Sequence, residues 1–186
     1  MKRKTGRYVD RAVKMGAVLP LLATLAAAPA WAAGENVHLY GALVAEPCVI
    51  PPGEEDIALD FGTVVDKYLY LNTRTPGQPF SLHLTECDLS LGNTVKVTFL
   101  GTENAALPGL LAIDGGSQAT GIAIGLETEQ AKPVPINQAS DKYLLQDGDN
   151  RIALKAYVQG EPEAIRNQSI GRGPFNTVAT FSLEYE

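Results

Sequence analysis

From residue 37 onward, apolar and polar residues alternate in short bursts separated by turn-forming clusters. Val37, Leu39, Gly41 and Leu43 share one parity ahead of Cys48, and Pro51-Pro52-Gly53 breaks the run. Ile57, Leu59 and Phe61 share a face of residues 56–61. Phe80, Leu82 and Leu84 share one in residues 80–87, with Cys87 on the opposite parity. Val95, Val97 and Phe99 alternate through residues 95–100, and residues 121–126 form a further candidate. In residues 151–158, Ile152 and Leu154 alternate, continued by Ala156 or by the opposite-face Tyr157. Phe175, Ala179, Phe181, Leu183 and Tyr185 stay in register to the end. Alternation with period two marks a strand buried on one face. Many such strands at near-regular spacing predict an all-β sandwich or barrel.

Between these bursts, residues 72–79 carry Pro76, Gly77 and Pro79 and read as a loop, and residues 146–150 (QDGDN) read as a turn. Residues 105–111 suggest a short helical turn, cut by Pro108-Gly109. No repeat and no long linker interrupts the pattern, so one domain is expected.

The first 32 residues follow a different grammar. Residues 1–14 carry Lys2, Arg3, Lys4, Arg7, Arg11 and Lys14 against Asp10, followed by the apolar run MGAVLPLLATLAAAPA and then Trp31-Ala32-Ala33. A basic region, an apolar region and small residues in that order are the signature of a secretory signal peptide. Cleavage after Ala32 or after Ala30 satisfies the small-residue requirement. The run spans 16 residues and contains two prolines. A membrane-crossing helix needs about 20, and no later segment supplies them.

Removal of residues 1–32 changes the charge as well as the length. The whole chain carries −6 and the leader +5, so the remaining 154 residues carry −11. That length suits one domain with one core. Such acidity argues against nucleic acid or an anionic membrane as a partner through bulk charge. The only cysteines, Cys48 and Cys87, form an even pair in an exported chain and read as one disulfide. Closing 39 residues is worth roughly 4 kcal/mol by the chain-entropy estimate.

Catalytic patterns do not assemble. His38 and His83 sit on polar strand positions without an accompanying nucleophile. Glu54, Glu55 and Asp56 are consecutive acids beside a turn and read as a solvated loop. Asp147-Gly148-Asp149-Asn150 lacks the ligand ladder of a calcium loop, and Gly171-Arg172-Gly173-Pro174 lacks the strand–helix setting of a phosphate cradle. Neither a catalytic residue, a metal ligand nor a cofactor is assigned. Asn167-Gln168-Ser169 matches a glycosylation sequon, whose use depends on the organism.

At both ends of residues 33–186, resemblance adds to pattern. NVHLYGALVAEPC (residues 36–48) resembles the amino terminus of bacterial chaperone–usher pilus subunits, and FNTVATFSLEYE (residues 175–186) resembles their carboxy-terminal strand. Gly173 stands fourteenth from the end and Tyr185 is penultimate, as in that family's pattern. SLHLTEC supplies the second cysteine. KVTFLGTENAALPG and residues 153–164 resemble the minor adaptor subunits of P-type pili.

The resemblance implies an incomplete immunoglobulin-like sandwich that lacks its final strand. It implies a donor-strand extension at residues 33–40 and a pilin domain at residues 41–186. It further implies three kinds of partner: a periplasmic chaperone, an outer-membrane usher and neighbouring fimbrial subunits. Passage through the periplasm to a fimbrium on the cell surface follows, with no small-molecule substrate. Val37, Leu39 and Gly41 are the expected donor-strand residues; Leu43 and Val44 are assigned to the domain's own first strand. Gly173, Phe175, Ala179, Phe181, Leu183 and Tyr185 are the expected acceptor-groove and chaperone-binding residues. The implied role is a minor adaptor, with a major shaft subunit or a chain terminator as alternatives. A secreted lectin-like module is the competing class, resting only on Tyr68 and Tyr70, which otherwise read as strand-face packing.

Overall fold

A computed structural model of the chain describes residues 39–186. The leader at residues 1–32 and most of the arm at residues 33–40, including Val37 and His38, lie outside the described residues. Leu43–Glu186 forms one compact unit. Its strands are β1 (Gln78–Cys87), β2 (Thr94–Leu100), β3 (Glu103–Asn104), β4 (Leu107–Ala112), β5 (Ile122–Thr128), β6 (Tyr143–Leu144), β7 (Gly148–Gly160) and β8 (Thr180–Tyr185). Two short helices accompany them, α1 (Asp66–Asn72) and α2 (Pro162–Arg166).

The strands form two antiparallel sheets, one of five in the order β1-β7-β5-β4-β3 and one of three in the order β6-β2-β8. The alternating residues read from the sequence make the core between them. Leu82, Leu84, Ile152, Leu154 and Ile124 are buried in one cluster with Val95, Val97 and Phe99. Ala156 continues the inner row of β7, whereas Tyr157 is buried on the other face of the sheet. Cys87 reaches the core despite its parity because β1 bulges between Leu84 and Cys87, with Glu86 at φ +54°. A bulge inserts one residue and so reverses which face the next side chain meets. Cys48 and Cys87 are joined, and Val49 and Thr85 exchange backbone bonds of 2.7 and 2.8 Å beside them.

β5 is buried along both faces, and its outer face is organised by a charge. Glu127, 2% exposed, accepts two hydrogen bonds from Arg74, Nη1 at 2.8 Å and Nη2 at 3.0 Å. The same guanidinium lies 3.9 Å from the centre of the Tyr157 ring. Tyr157 in turn covers its cross-strand partner Gly125; a Cβ there would fall 2.2 Å from the ring. The glycine therefore admits the aromatic, and the aromatic backs the arginine.

Several elements differ from the sequence expectation, each for a stated reason. Only residues 105–106 of the expected helical turn do turn; from Leu107 the chain supplies β4, with Gly109 at φ +84° letting it pair instead of coiling. Tyr68 and Tyr70 lie on α1, not on a strand; Leu69 is the buried residue of that helix, and the Tyr70 hydroxyl accepts the Ile170 N–H at 3.2 Å. Residues 146–150 turn only at the start, since Gly148 already opens β7. Leu43 and Val44 belong to no strand and are exposed, because no neighbouring backbone bonds to them. Residues 56–61 alternate in burial only from Leu59 to Phe61 and join no ladder.

The end of β8 is fastened by Glu186. Its carboxylate pairs with both Lys96 and Lys142, and these hydrogen bonds hold its pKa down to about 2. A carboxyl whose pKa falls on folding stabilises the folded state above its ordinary value. That contribution shrinks as pH drops from 4.5 and disappears below about 2. Titration of the Glu186 carboxyl by NMR should therefore show a midpoint near 2. A midpoint near 4.5 would mean that the lysines do not hold it.

The Arg74–Glu127 pair gives a second test. Arg74→Ala leaves a buried carboxylate without its partner, which costs about 3–5 kcal/mol in comparable cases. Because the Arg74 side chain keeps 34% of its surface in water, the low end, about 3 kcal/mol, is expected in urea unfolding. Arg74→Lys should recover only part, having neither the fork nor the planar stacking surface.

Candidate functional site

β8 is the strand that the core leaves unfinished. Phe175, Ala179, Phe181, Leu183 and Tyr185 all pack against the core cluster, yet every one remains partly exposed. Their counterparts on β2, the inward-facing Val95, Val97 and Phe99, are buried. The side chains on β8 point the right way; a layer that should lie over them is missing.

The backbone of β8 is equally half-used. Thr94 and Glu186 exchange both of their backbone bonds, N–H to O at 3.2 and 3.0 Å. Antiparallel ladders alternate bonded and non-bonded pairs. Lys96–Glu184, Thr98–Ser182 and Leu100–Thr180 are therefore the bonded pairs in this register. The peptide groups of Phe181, Leu183 and Tyr185 face away from β2, toward an edge that carries no further strand among the described residues.

Across from that edge run residues 56–61, and their backbone is also outside any ladder. Leu59 and Phe61 lean on the core from this side, and Ile57 is exposed. Between the two walls lies a cleft of about 400 Å³ lined by Ile57, Leu59 and Phe61 on one side and by Val178, Ala179 and Phe181 on the other. Its floor is Phe80, Phe99, Leu111, Ile124, Leu126 and Ala156, the inner rows of both sheets. Phe80 and Phe99 meet edge to face with centroids 6.2 Å apart.

Phe61 and Phe175, also 6.2 Å apart, connect this cleft to a further 390 Å³ between residues 59–64 and Gly173–Phe175. At that end the chain is clasped. The Pro174 carbonyl accepts the Gln118 and Ala119 N–H groups, and the Asn176 carbonyl accepts that of Asp114. Gly173 takes φ +146°, and a Cβ there would lie 2.5 Å from Cβ of Gln118. Glycine is required where the strap enters the clasp. At the other end, burial raises the pKa of Tyr185, and the Glu46 carboxylate adds to the rise.

The residues expected from the sequence fall into two groups. Ala179 and Phe181 line the cleft, Gly173 and Phe175 line its continuation, and Leu183 and Tyr185 pack on the core further along β8. Leu39 is 91% exposed, and nothing lies within 4 Å of a Cβ built on Gly41. Sequence reasoning missed the opposing wall and the floor. Ile57, Leu59 and Phe61 had the right alternation, but alternation does not reveal that a strand's neighbour is absent.

The remaining polar features are local. His83 Nδ1 and Glu54 Oε2 lie 3.0 Å apart. Among the described residues, no group of three or more metal-ligating side chains comes together.

Comparison with known proteins matches these features to a family. The fimbrial protein family matches residues 37–186. The fimbrial adapter PapK of Escherichia coli is 31% identical over 179 residues, covering 93% of this chain and 99% of that protein. The Fimbria A protein of Serratia marcescens is 30% identical over 151 residues, covering 81% and 84%. A chaperone–usher pilus structure concerned with rod uncoiling superimposes with a TM-score of 0.66 at 27% identity, covering 86% of this chain and 100% of that one. The two-sheet architecture is an incomplete immunoglobulin-like sandwich of the kind completed by a donor strand. Since the match takes in the cleft, both of its walls and the bonded cysteines, this chain belongs to the fimbrial protein family.

Proposed function

We propose that the cleft is a vacant strand position, filled first by a strand of a periplasmic chaperone and then by the amino-terminal arm of the next fimbrial subunit. The observation that carries this reading is the juxtaposition of two unbonded walls over an apolar floor. An added strand would hydrogen-bond the outward-facing peptides of Phe181, Leu183 and Tyr185 and cover their side chains together. Each hydrogen bond contributes about 1 kcal/mol net, and each large apolar side chain brought out of water about 1.5–3 kcal/mol. The reaction makes no covalent bond. A terminator would need a cleft unable to admit a strand, which the open 400 Å³ space argues against.

In this reading residues 33–40 are the chain's own donor, with Val37 and Leu39 inserting and Gly41 at the junction. The exposed Leu39 suits a side chain held for another molecule. Residues 41–186 form the pilin domain, and Gly173, Phe175, Ala179, Phe181, Leu183 and Tyr185 form the acceptor wall. Within a chaperone–usher fimbria we assign the chain to the minor adaptors, supported by PapK-like sequence along nearly its whole length. A major shaft subunit is the second reading, favoured by the likeness to a pilus rod structure. Export through the periplasm, aided by an outer-membrane usher, goes with either.

Co-expression with the cognate chaperone should yield a complex from which a peptide spanning another subunit's arm displaces the chaperone. The product should resist heat far better than the starting complex. A chaperone-independent, stable monomer that ignores the peptide would overturn the proposal. Tyr185→Ser removes an aromatic from the acceptor wall and should lower recovery of the chaperone complex about tenfold, measured by co-purification. Unchanged recovery would count against Tyr185 as part of the binding surface.

A further inference from the structure

The cleft is apolar within and one-signed at its edge. Glu55 and Asp56 line it, and Asp60 lines its continuation beyond Phe61. All three are exposed. Glu55 and Asp60 accept only local backbone bonds, from Gly53 and Gly62 N–H at 2.6 and 2.8 Å. Among the described residues, no Lys or Arg forms an ion pair with any of them. The cations close to the strap and β8 are already engaged, Arg172 with Asp66, and Lys96 and Lys142 with Glu186. The bias runs through the sequence: residues 33–66 hold seven acidic residues and no Lys or Arg, and residues 173–186 hold Glu184 and Glu186 as their only charges.

We infer that the cleft selects a donor strand with Lys or Arg at its water-facing positions and discriminates against this chain's own arm, so that the neighbour it accepts is a different subunit. The inference rests on the strand-acceptor reading and adds the chemistry of the occupant. A strand lying between the walls places alternate side chains inward over Phe80 and Phe99 and the others outward, beside Asp56 and Asp60. Directly opposed side chains on adjacent strands lie close enough for opposite charges to attract and like charges to repel. Such rim charges act mainly on the association rate and on the choice of partner. The chain's own arm offers nothing to match. Residues 33–40 contain Glu35, which shares the parity of Val37 and Leu39, and no Lys or Arg.

The test uses the chain–chaperone complex and three peptides that share one set of inward apolar residues. Their outward positions carry Lys, Ser or Glu; a fourth peptide spans residues 33–42 of this chain. The Lys peptide should displace the chaperone about tenfold faster than the Glu peptide, the size expected of a few cross-strand charge pairs. The Ser peptide should fall between them, and the chain's own arm, whose outward positions Asn36, His38 and Tyr40 bring no Lys, Arg or carboxylate, should group with Ser. Raising salt from about 0.1 to about 1 M shortens the screening length from about 10 to about 3 Å and should close the gap. In the triple variant Glu55→Gln, Asp56→Asn, Asp60→Asn, the Lys-to-Glu rate ratio should fall toward one. Equal rates for Lys and Glu on the native chain, or fastest entry of the chain's own arm, would overturn the inference. Entry of no peptide at all, Ser included, would remove the strand-acceptor reading and this inference with it.

Discussion

An unpaired sheet edge is the constraint on which the rest of this domain depends. Along β8, the side chains that need covering and the peptide groups that need bonding belong to the same residues, Phe181, Leu183 and Tyr185. Among the described residues neither need is met, because β2 occupies one side of the strand and residues 56–61 join no ladder. Natural proteins ordinarily shorten, charge or cover such edges. Here the edge is long, apolar and bordered by a cleft, and the family likeness gives that arrangement a use.

A domain that leaves one strand position open must hold its shape by other means. The five-stranded sheet does most of this, since β7 is 13 residues long and pairs with both β1 and β5. Its outer face is stiffened by Arg74, Glu127 and Tyr157, and its first strand is tied to the chain before it through Cys48–Cys87. β8 itself is secured at both ends, by the Gly173–Asn176 clasp and by the lysines around Glu186. The middle is thus the portion free to take a partner.

How far the sequence revealed this depended on what kind of signal each part carries. Strands with a buried face announced themselves through period two, so β1, β2, β5, β7 and the core residues on them were legible, as was the wall at residues 175–185. Elements fixed by tertiary context were not. The helix α1 hides in DKYLYLN, whose aromatic spacing looks like a strand until Leu69 is seen to be its buried residue. β4 depends on a glycine at φ +84°. The Arg74–Glu127 pair joins residues 53 apart, with nothing local to mark either. The cleft itself escaped periodicity altogether, because a missing neighbour leaves the pattern of the strands beside it unchanged; only likeness to a family hinted at it.

The ladder register of β8 divides its residues into two interleaved sets. The peptide groups of Thr180, Ser182 and Glu184 bond the strand to β2, while those of Phe181, Leu183 and Tyr185 face the other way. The first set bonds to β2 through its backbone and its side chains are exposed, whereas the side chains of the second lie on the core, so a substitution there bears on the fold and, under the strand-acceptor proposal, on the neighbour as well. Under that proposal a single six-residue segment ties the integrity of the subunit to the choice of its neighbour, so neither can be altered along this strand without touching the other.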